Sequence, residues 1–217
     1  MNDYEWDYTD EDLEEFNRRR IPRIFKFLSL ILLISFLALC FPWLNHFLND
    51  SFELIQQNQE LFSKDIVVNA KPAIVSIQAV DSSTAKKSRG TGFIISPQGV
   101  IVTNAHVVED AKSVRITLDN EEIMFSNLIE IIPDNDLAII RIDKDNLPYL
   151  QIEEEQVSID DIVTIIGNPL WYYKIAQQGR VEAFTYIADN ENPVIYIDIA
   201  INPGNSGSPV LNEAGKV

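Results

Sequence analysis

The stretch GTGFIISPQGVIVTNAHVV, residues 90–108, consists of two short runs rich in β-branched residues, joined by Pro97, Gln98 and Gly99. Turn-forming residues between two such runs are typical of a β-hairpin. From Ala73 onward the same pattern recurs in six further runs separated mainly by Gly, Pro, Asn and Asp: AIVSIQAV, SVRITL, LAIIRID, DIVTIIG, RVEAFTYI and VIYIDIA. Many short strands without a long helical pattern predict an all-β sandwich or barrel over residues 73–217.

An uncharged apolar run, FLSLILLISFLALCFPWL at residues 27–44, lies upstream of this domain. As a helix it would be about 27 Å long, which nearly matches the hydrocarbon core of a bilayer. A buried core helix is the alternative, but no polar stripe at helical spacing interrupts the run. The sequence therefore predicts one transmembrane helix within residues 21–44.

The flanks of the apolar run indicate its orientation. Residues 1–20 hold eight acids and then three arginines, and they are predicted to be an acidic cytoplasmic tail. Because basic residues crowd this flank while acidic residues follow the run, the positive-inside rule places the rest of the chain outside the cytoplasm. A cleaved signal peptide is the rival interpretation, since ALC at residues 38–40 loosely resembles a cleavage site. The long acidic segment upstream favours an uncleaved signal anchor in the cell membrane.

Residues 45–72 connect the apolar run to the β-rich domain. They include SFELIQQNQELFSKDIV, which is polar with scattered apolar residues and has neither Gly nor Pro. This composition suits a partly helical linker or stalk.

Charge and reactive-residue counts narrow the classes of function. The chain has 33 acidic and 17 basic residues, a net charge of −16, so nucleic acid is not expected as a partner. Cys40 is the single cysteine, which excludes an intramolecular disulfide and a multi-cysteine metal site. No metal and no cofactor is predicted. The two histidines are His46, beside the apolar run, and His106, inside the β-rich region.

Three local features could carry chemistry if they act together. His106 lies in TNAHVV at the end of an apolar run, Asp136 precedes a strand in PDNDLAIIRI, and Ser206 is flanked by Gly204 and Gly207 in INPGNSGSPV. Each has an ordinary structural explanation when taken alone, as a satisfied histidine, a turn aspartate and a loop serine. Their order and spacing, 30 and then 70 residues, are the informative part.

Five strings in order, GTGFIIS, GVIVTNAHVV, NDLAIIRI, IGNP with a later QGRV, and INPGNSGSPV, resemble trypsin-like serine peptidases of the bacterial HtrA (Deg) branch. The order His, Asp, Ser along the chain is that of the chymotrypsin fold. The resemblance implies a double β-barrel and a catalytic triad of His106, Asp136 and Ser206. Within PDNDLA it favours Asp136 over Asp134, because the family motif places the aspartate directly before Leu-Ala.

The resemblance also implies an oxyanion hole, a class of substrate and an assembly. Backbone N–H groups of Gly204 and Ser206, with Asn205 as a further candidate, would bind the oxyanion. The substrates would be extracytoplasmic polypeptides, above all misfolded ones, and the chain would form a homotrimer.

The end of the chain sets a further expectation. Val217 follows Ser206 by eleven residues, where the family continues into another strand and a helix. We therefore expect the second barrel to be incomplete, as in a fragment, a truncated gene or a chain complemented by another. The alternative function is a catalytically inactive or fragmentary protease-fold module that binds peptides or complements another chain.

Overall fold

The structure is a computed structural model that describes residues 23–80, 88–169, 172–186 and 193–217. The acidic tail predicted for residues 1–20 lies outside these ranges. The chain divides into two compact units, one that ends at Ser51 and one that runs from Phe52 to Val217.

The first helix, α1, spans Arg23–Leu61. Its segment Ile24–Pro42 has a mean hydropathy of 2.6, and the side chains of this segment are not buried within the structure. By length and composition the segment could cross a membrane.

The larger unit is built on a seven-stranded antiparallel sheet. Its spatial order is β5-β4-β1-β2-β3-β7-β6, with β1 Ile74–Val80, β2 Arg89–Ser96, β3 Val100–Asn104, β4 Ser113–Thr117, β5 Ile123–Ser126, β6 Ile129–Ile132 and β7 Leu137–Arg141. The two edge strands β5 and β6 are joined by just Asn127 and Leu128, so the sheet curves back on itself.

A second antiparallel sheet has the order β10-β9-β8-β11, formed by β8 Ile162–Gly167, β9 Ile175–Thr185, β10 Val194–Ile197 and β11 Val210–Leu211. Within residues 73–217 the longest helix that the structure describes is the single turn α3, Ala105–Val108. The all-β architecture predicted from the strand pattern is therefore the one the structure has.

Burial in the first sheet follows strand position. In β4 the side chains alternate, with Val114 and Ile116 fully buried between partly exposed neighbours, as expected for a strand with one core face. In β2 five consecutive residues from Gly90 to Ile94 are buried, because this central strand is covered on both faces. The second cover comes from the segment around Ser206, which is hydrogen-bonded to β2.

Part of the predicted linker belongs to the folded domain. Leu54 and Leu61 of α1 are buried, and helix α2, Asp65–Ala70, follows them. Two α1 side chains bind the backbone of β9: Gln57 Nε2 donates to Gln178 O at 2.9 Å, and Asn58 Oδ1 accepts the Ala176 N–H at 2.9 Å. These polar contacts could not be identified from the helical pattern alone.

Candidate active site

His106 is presented by the end of β3. The strand passes directly into the turn α3, in which Val107 and Val108 are 1% exposed and anchor the turn in the core. The imidazole on the same turn faces outward, with 52% of its side-chain surface exposed. The apolar pair that follows the histidine thus holds it at the edge of the sheet.

Asp136 reaches the histidine because β7 pairs with β3. The residue follows a 3-10 turn, Pro133–Asn135, and has φ 48° and ψ 42°, a left-handed conformation that aspartate tolerates better than most residues. Immediately after it, Leu137 stands opposite Asn104 in the sheet register. Strand pairing therefore sets the aspartate beside the residues that lead into His106.

Both carboxylate oxygens of Asp136 bind His106. Asp136 Oδ2 lies 2.7 Å from His106 Nδ1, and Asp136 Oδ1 accepts the His106 backbone N–H at 3.0 Å. A carboxylate that accepts at Nδ1 favours the tautomer whose proton is on Nδ1 and leaves the Nε2 lone pair available as a base. Asp134, the other candidate, lies in the preceding 3-10 turn and is not bonded to His106.

The Ser206 segment packs closely on β2 and on the end of β3. Ser206 O accepts the Thr91 N–H at 2.8 Å, and the next residue, Gly207, donates its N–H to Asn104 Oδ1 at 2.6 Å. Gly207 has φ 80°, and a Cβ there would lie 2.1 Å from Thr91 O. The glycine is thus required both by its backbone conformation and by the close approach of β2.

The structure brings His106 and Asp136 into direct contact and carries Ser206 to the same end of the sheet. Within the described residues, Ser206 Oγ makes no hydrogen bond to the imidazole. Serine–histidine hydrogen bonds are often long before substrate binds. The lack of this bond therefore still agrees with Ser206 as nucleophile and His106 as base.

The three oxyanion-hole candidates differ in what their N–H groups do. The Asn205 N–H is occupied, since it donates to Asn202 O at 3.0 Å. The Ser208 N–H donates to Asn205 O at 2.9 Å. In the part of the chain that the structure describes, the N–H groups of Gly204 and Ser206 have no acceptor, which leaves both available as donors.

The Asn205 side chain is buried beneath this turn, where its Nδ2 donates to Gln177 Oε1 at 3.1 Å. Its Oδ1 and the Ser208 Oγ are buried without a hydrogen-bond partner. Both atoms lie beside Gly167. A Cβ at Gly167 would lie 2.7 Å from Asn205 Oδ1 and 2.2 Å from Ser208 Oγ. Gly167 therefore leaves the room that these two polar atoms occupy.

Thr91 holds the serine loop at two points, a role that its local sequence does not indicate. The side chain is fully buried, and its Oγ1 donates to Gly204 O at 2.8 Å while its N–H binds Ser206 O. The same Oγ1 accepts from the backbone N–H and from Nδ2 of Asn168, at 3.0 and 3.1 Å. Both residues lie inside the strings GTG and GNP, which carried the resemblance without revealing these bonds.

Thr91→Val is expected to destabilise the domain by about 2 kcal/mol, because it removes the acceptor of the Asn168 N–H and one of the two acceptors of Asn168 Nδ2. The measurement is urea unfolding of the full chain in detergent, followed by β-sheet circular dichroism. Thr117→Val is the matched control, since its hydroxyl makes no hydrogen bond within the described residues. Equal midpoints for the two variants would contradict the role given to the Thr91 hydroxyl.

A buried cation, Lys174, lies beside Asn168. Lys174 is 3% exposed; its Nζ donates to Asp119 Oδ1 and, at 2.6 Å, to Lys71 O, while its N–H donates to Asn168 Oδ1 at 3.1 Å. Burial lowers the pKa of Lys174, and the Asp119 carboxylate opposes that shift. Burial, with the charges of Asp119 and Glu121, raises the pKa of Tyr173 to about 12.

Asp119→Asn is expected to cost about 1 to 3 kcal/mol, because the Lys174 ammonium stays buried with a weaker partner. Since the folded-state pKa of Lys174 lies below its unfolded value, the unfolded chain binds more protons and stability rises with pH toward 10.5. Losing Asp119 lowers that pKa further. The loss in free energy of unfolding relative to wild type should therefore be smaller at pH 9.5 than at pH 7 in urea titrations. Glu122→Gln, which breaks an exposed pair with Lys144, should show a smaller and less pH-dependent loss. A loss in free energy of unfolding that is the same at pH 7 and pH 9.5 for Asp119→Asn would contradict this explanation.

Across the described ranges, no three His, Cys, Asp or Glu side chains are grouped closely enough to hold a metal ion. The site consists of an imidazole, a carboxylate, a hydroxyl and backbone donors, which together suit nucleophilic acyl transfer.

Comparison with known proteins agrees with this chemistry. Residues 90–217 match the family model described as "Trypsin-like peptidase domain". A protein of Chlamydia pneumoniae named "Probable periplasmic serine endoprotease DegP-like" is 42% identical over 134 residues, which is 59% of this chain and 27% of that protein. A protein of the same name from Pseudomonas fluorescens is 39% identical over 140 residues, 63% of this chain and 29% of that protein.

Solved structures that are similar to this chain include two proteases. A serine endoprotease from Yersinia pestis has a TM-score of 0.60 at 31% identity and covers 70% of this chain and 54% of its own. An HtrA-type protease, AlgW with a tripeptide, has a TM-score of 0.63 at 28% identity and covers 70% of this chain and 51% of its own. The chain thus spans less than a third of the curated relatives and about half of these solved chains.

Proposed function

This chain belongs to the trypsin-like peptidase family, and from that premise we propose that it is an HtrA-like serine endopeptidase that hydrolyses peptide bonds of extracytoplasmic, misfolded polypeptides. The observation that carries the proposal is the pairing of both Asp136 oxygens with His106, beside a serine loop that is fixed to the same strands. The relatives named as serine endoproteases support the same class of reaction.

The mechanism assigns one task to each group. Ser206 Oγ attacks the substrate carbonyl while His106 Nε2 accepts its proton, and Asp136 holds the imidazole and stabilises the imidazolium that forms. The N–H groups of Gly204 and Ser206 bind the oxyanion, each contributing about 3 kcal/mol of transition-state stabilisation. Collapse of the tetrahedral intermediate releases the amine, which takes the proton from His106. Water then attacks the acyl-serine by the same route, with His106 as base, and the acid product leaves.

The location proposed is the outer side of a cell membrane. Support comes from the apolar segment Ile24–Pro42 and from relatives named as periplasmic. Residues 21–44 would be the uncleaved anchor, with residues 1–20 as the cytoplasmic tail and residues 73–217 as the peptidase domain. The homotrimer remains an expectation from the family resemblance.

The proposed activity is tested by incubating the full 217-residue chain, in detergent, with an unfolded polypeptide and identifying the products by mass spectrometry. New termini created by wild type but not by Ser206→Ala support hydrolysis at this site. An intact polypeptide after incubation with folded wild type would contradict it.

A second function, peptide binding without cleavage, is favoured by a groove on the second sheet. The groove has a volume of about 800 Å³ and includes the apolar side chains of Val163, Val181 and Ile195. Strand β11 lies at the edge of that sheet, where an extended peptide could pair with it. Peptide affinity that is equal in wild type and Ser206→Ala, with no cleavage by either, would favour this module or a complementing chain over the peptidase.

A further inference from the structure

Asn104, the last residue of β3, connects the two segments that carry Asp136 and Ser206. Its Nδ2 donates to Asp136 O at 2.9 Å, and its Oδ1 accepts the Gly207 N–H at 2.6 Å. Gly207 directly follows Ser206, and Asn104 itself precedes His106 by two residues. One side chain therefore joins the backbone of the Asp136 segment to that of the Ser206 segment, next to the histidine.

A carboxamide suits this position because its two ends have opposite hydrogen-bonding character. Asp136 O needs a donor and the Gly207 N–H needs an acceptor, and an asparagine side chain supplies both. An aspartate at residue 104 would supply just the acceptor when ionised, and an alanine would supply neither. The two bonds are part of a wider set, since Asp136 O also accepts the Ala105 N–H at 3.0 Å.

The serine loop is hydrogen-bonded to two neighbouring strands, β2 and β3. Thr91 holds Ser206 O and Gly204 O on the side of β2. Asn104 holds the Gly207 N–H on the side of β3, so the Ser206 backbone is fixed from both strands. The position of Ser206 Oγ relative to the imidazole depends on these contacts, and a misplacement of about 1 Å can cost about 100-fold in rate.

We propose that Asn104 is a positioning residue that sets the distance between Ser206 and the His106–Asp136 pair; the assignment rests on the proposed peptidase function. The two side-chain hydrogen bonds of Asn104 go to backbone atoms of Asp136 and Gly207, and neither involves Ser206 Oγ or the His106 imidazole. It acts through the backbone of the two segments that it joins.

The test compares Asn104→Ala and Asn104→Asp in the full chain with wild type, using steady-state kinetics on a peptide substrate and the rate of labelling by a fluorophosphonate. Asn104→Ala is expected to lower kcat and the labelling rate about 100-fold with little change in KM. Asn104→Asp keeps the acceptor for Gly207 but repels Asp136 O, and we expect a fall of at least about 10-fold. Asn120→Ala is the control, an exposed asparagine in the turn after β4 whose side chain bonds Glu122.

Thermal unfolding of each variant separates positioning from stability. A kcat loss in a variant that unfolds at the wild-type temperature supports the assignment, and if Asn104→Ala does not fold, Asn104→Asp decides. Wild-type kcat and labelling in the folded Asn104 variants would overturn the assignment while leaving the peptidase function in place. A folded wild type that is neither active nor labelled would overturn both.

Discussion

Replacing Ser206 by alanine is expected to lower kcat for a peptide substrate by about 10⁶-fold, the size of loss that follows removal of the nucleophile from a serine peptidase. The loss is large because the remaining groups can polarise a carbonyl but cannot form the acyl intermediate. The measurement is the rate at which the full chain hydrolyses a fluorogenic peptide. The protein concentration is chosen so that the residual rate of the variant can be distinguished from uncatalysed hydrolysis.

Ser208→Ala is the matched control for this prediction. Ser208 lies two residues away, and its Oγ is buried without a hydrogen-bond partner, so its removal should leave the rate near that of wild type. If Ser206→Ala kept its activity, or if Ser208→Ala lost it, the assignment of the nucleophile would be wrong.

Replacing Asp136 by asparagine is expected to lower kcat by about 10⁴-fold. The amide oxygen can still accept the His106 backbone N–H, which leaves the NH₂ group facing Nδ1. A donor at that position favours the tautomer with its proton on Nε2, so the imidazole can no longer accept a proton from Ser206. Substrate binding and folding should change little, because the substitution preserves shape.

Asp134→Asn, in the 3-10 turn just before Asp136, removes an exposed carboxylate two residues away and should keep wild-type kcat. Comparable losses in the two variants would indicate a general effect of charge rather than a specific pairing with His106. A large loss in Asp134→Asn alone would reverse the choice that the motif favoured.

Strand pattern and motif order predicted the parts of this fold that depend on local chemistry. The hairpin of β2 and β3 was readable because turn residues separate two β-branched runs, and the strand after Asp136 was readable from LAIIR. Strands β5 and β6 were not predicted, since each has four residues, both lie at sheet edges, and exposed side chains such as Phe125 blur the alternation.

The supports of the site could not be predicted, because they depend on contacts between distant segments. Thr91 and Asn168 are 77 residues apart, and Asn104 and Gly207 are 103 apart. Nothing in the local pattern distinguishes these residues from ordinary strand and turn residues. Likewise, a lysine is expected at the surface, but Lys174 is buried and paired with Asp119, which lies 55 residues upstream.

We propose that Ser206 is a nucleophile activated by His106. The most direct test is to treat the full chain with a fluorophosphonate and to locate the adduct by peptide mass spectrometry, with His106→Ala as the comparison. We predict a single adduct on Ser206 in wild type and almost none in His106→Ala. A folded wild type without an adduct, or an adduct on Ser206 that forms equally fast without His106, would contradict the claim.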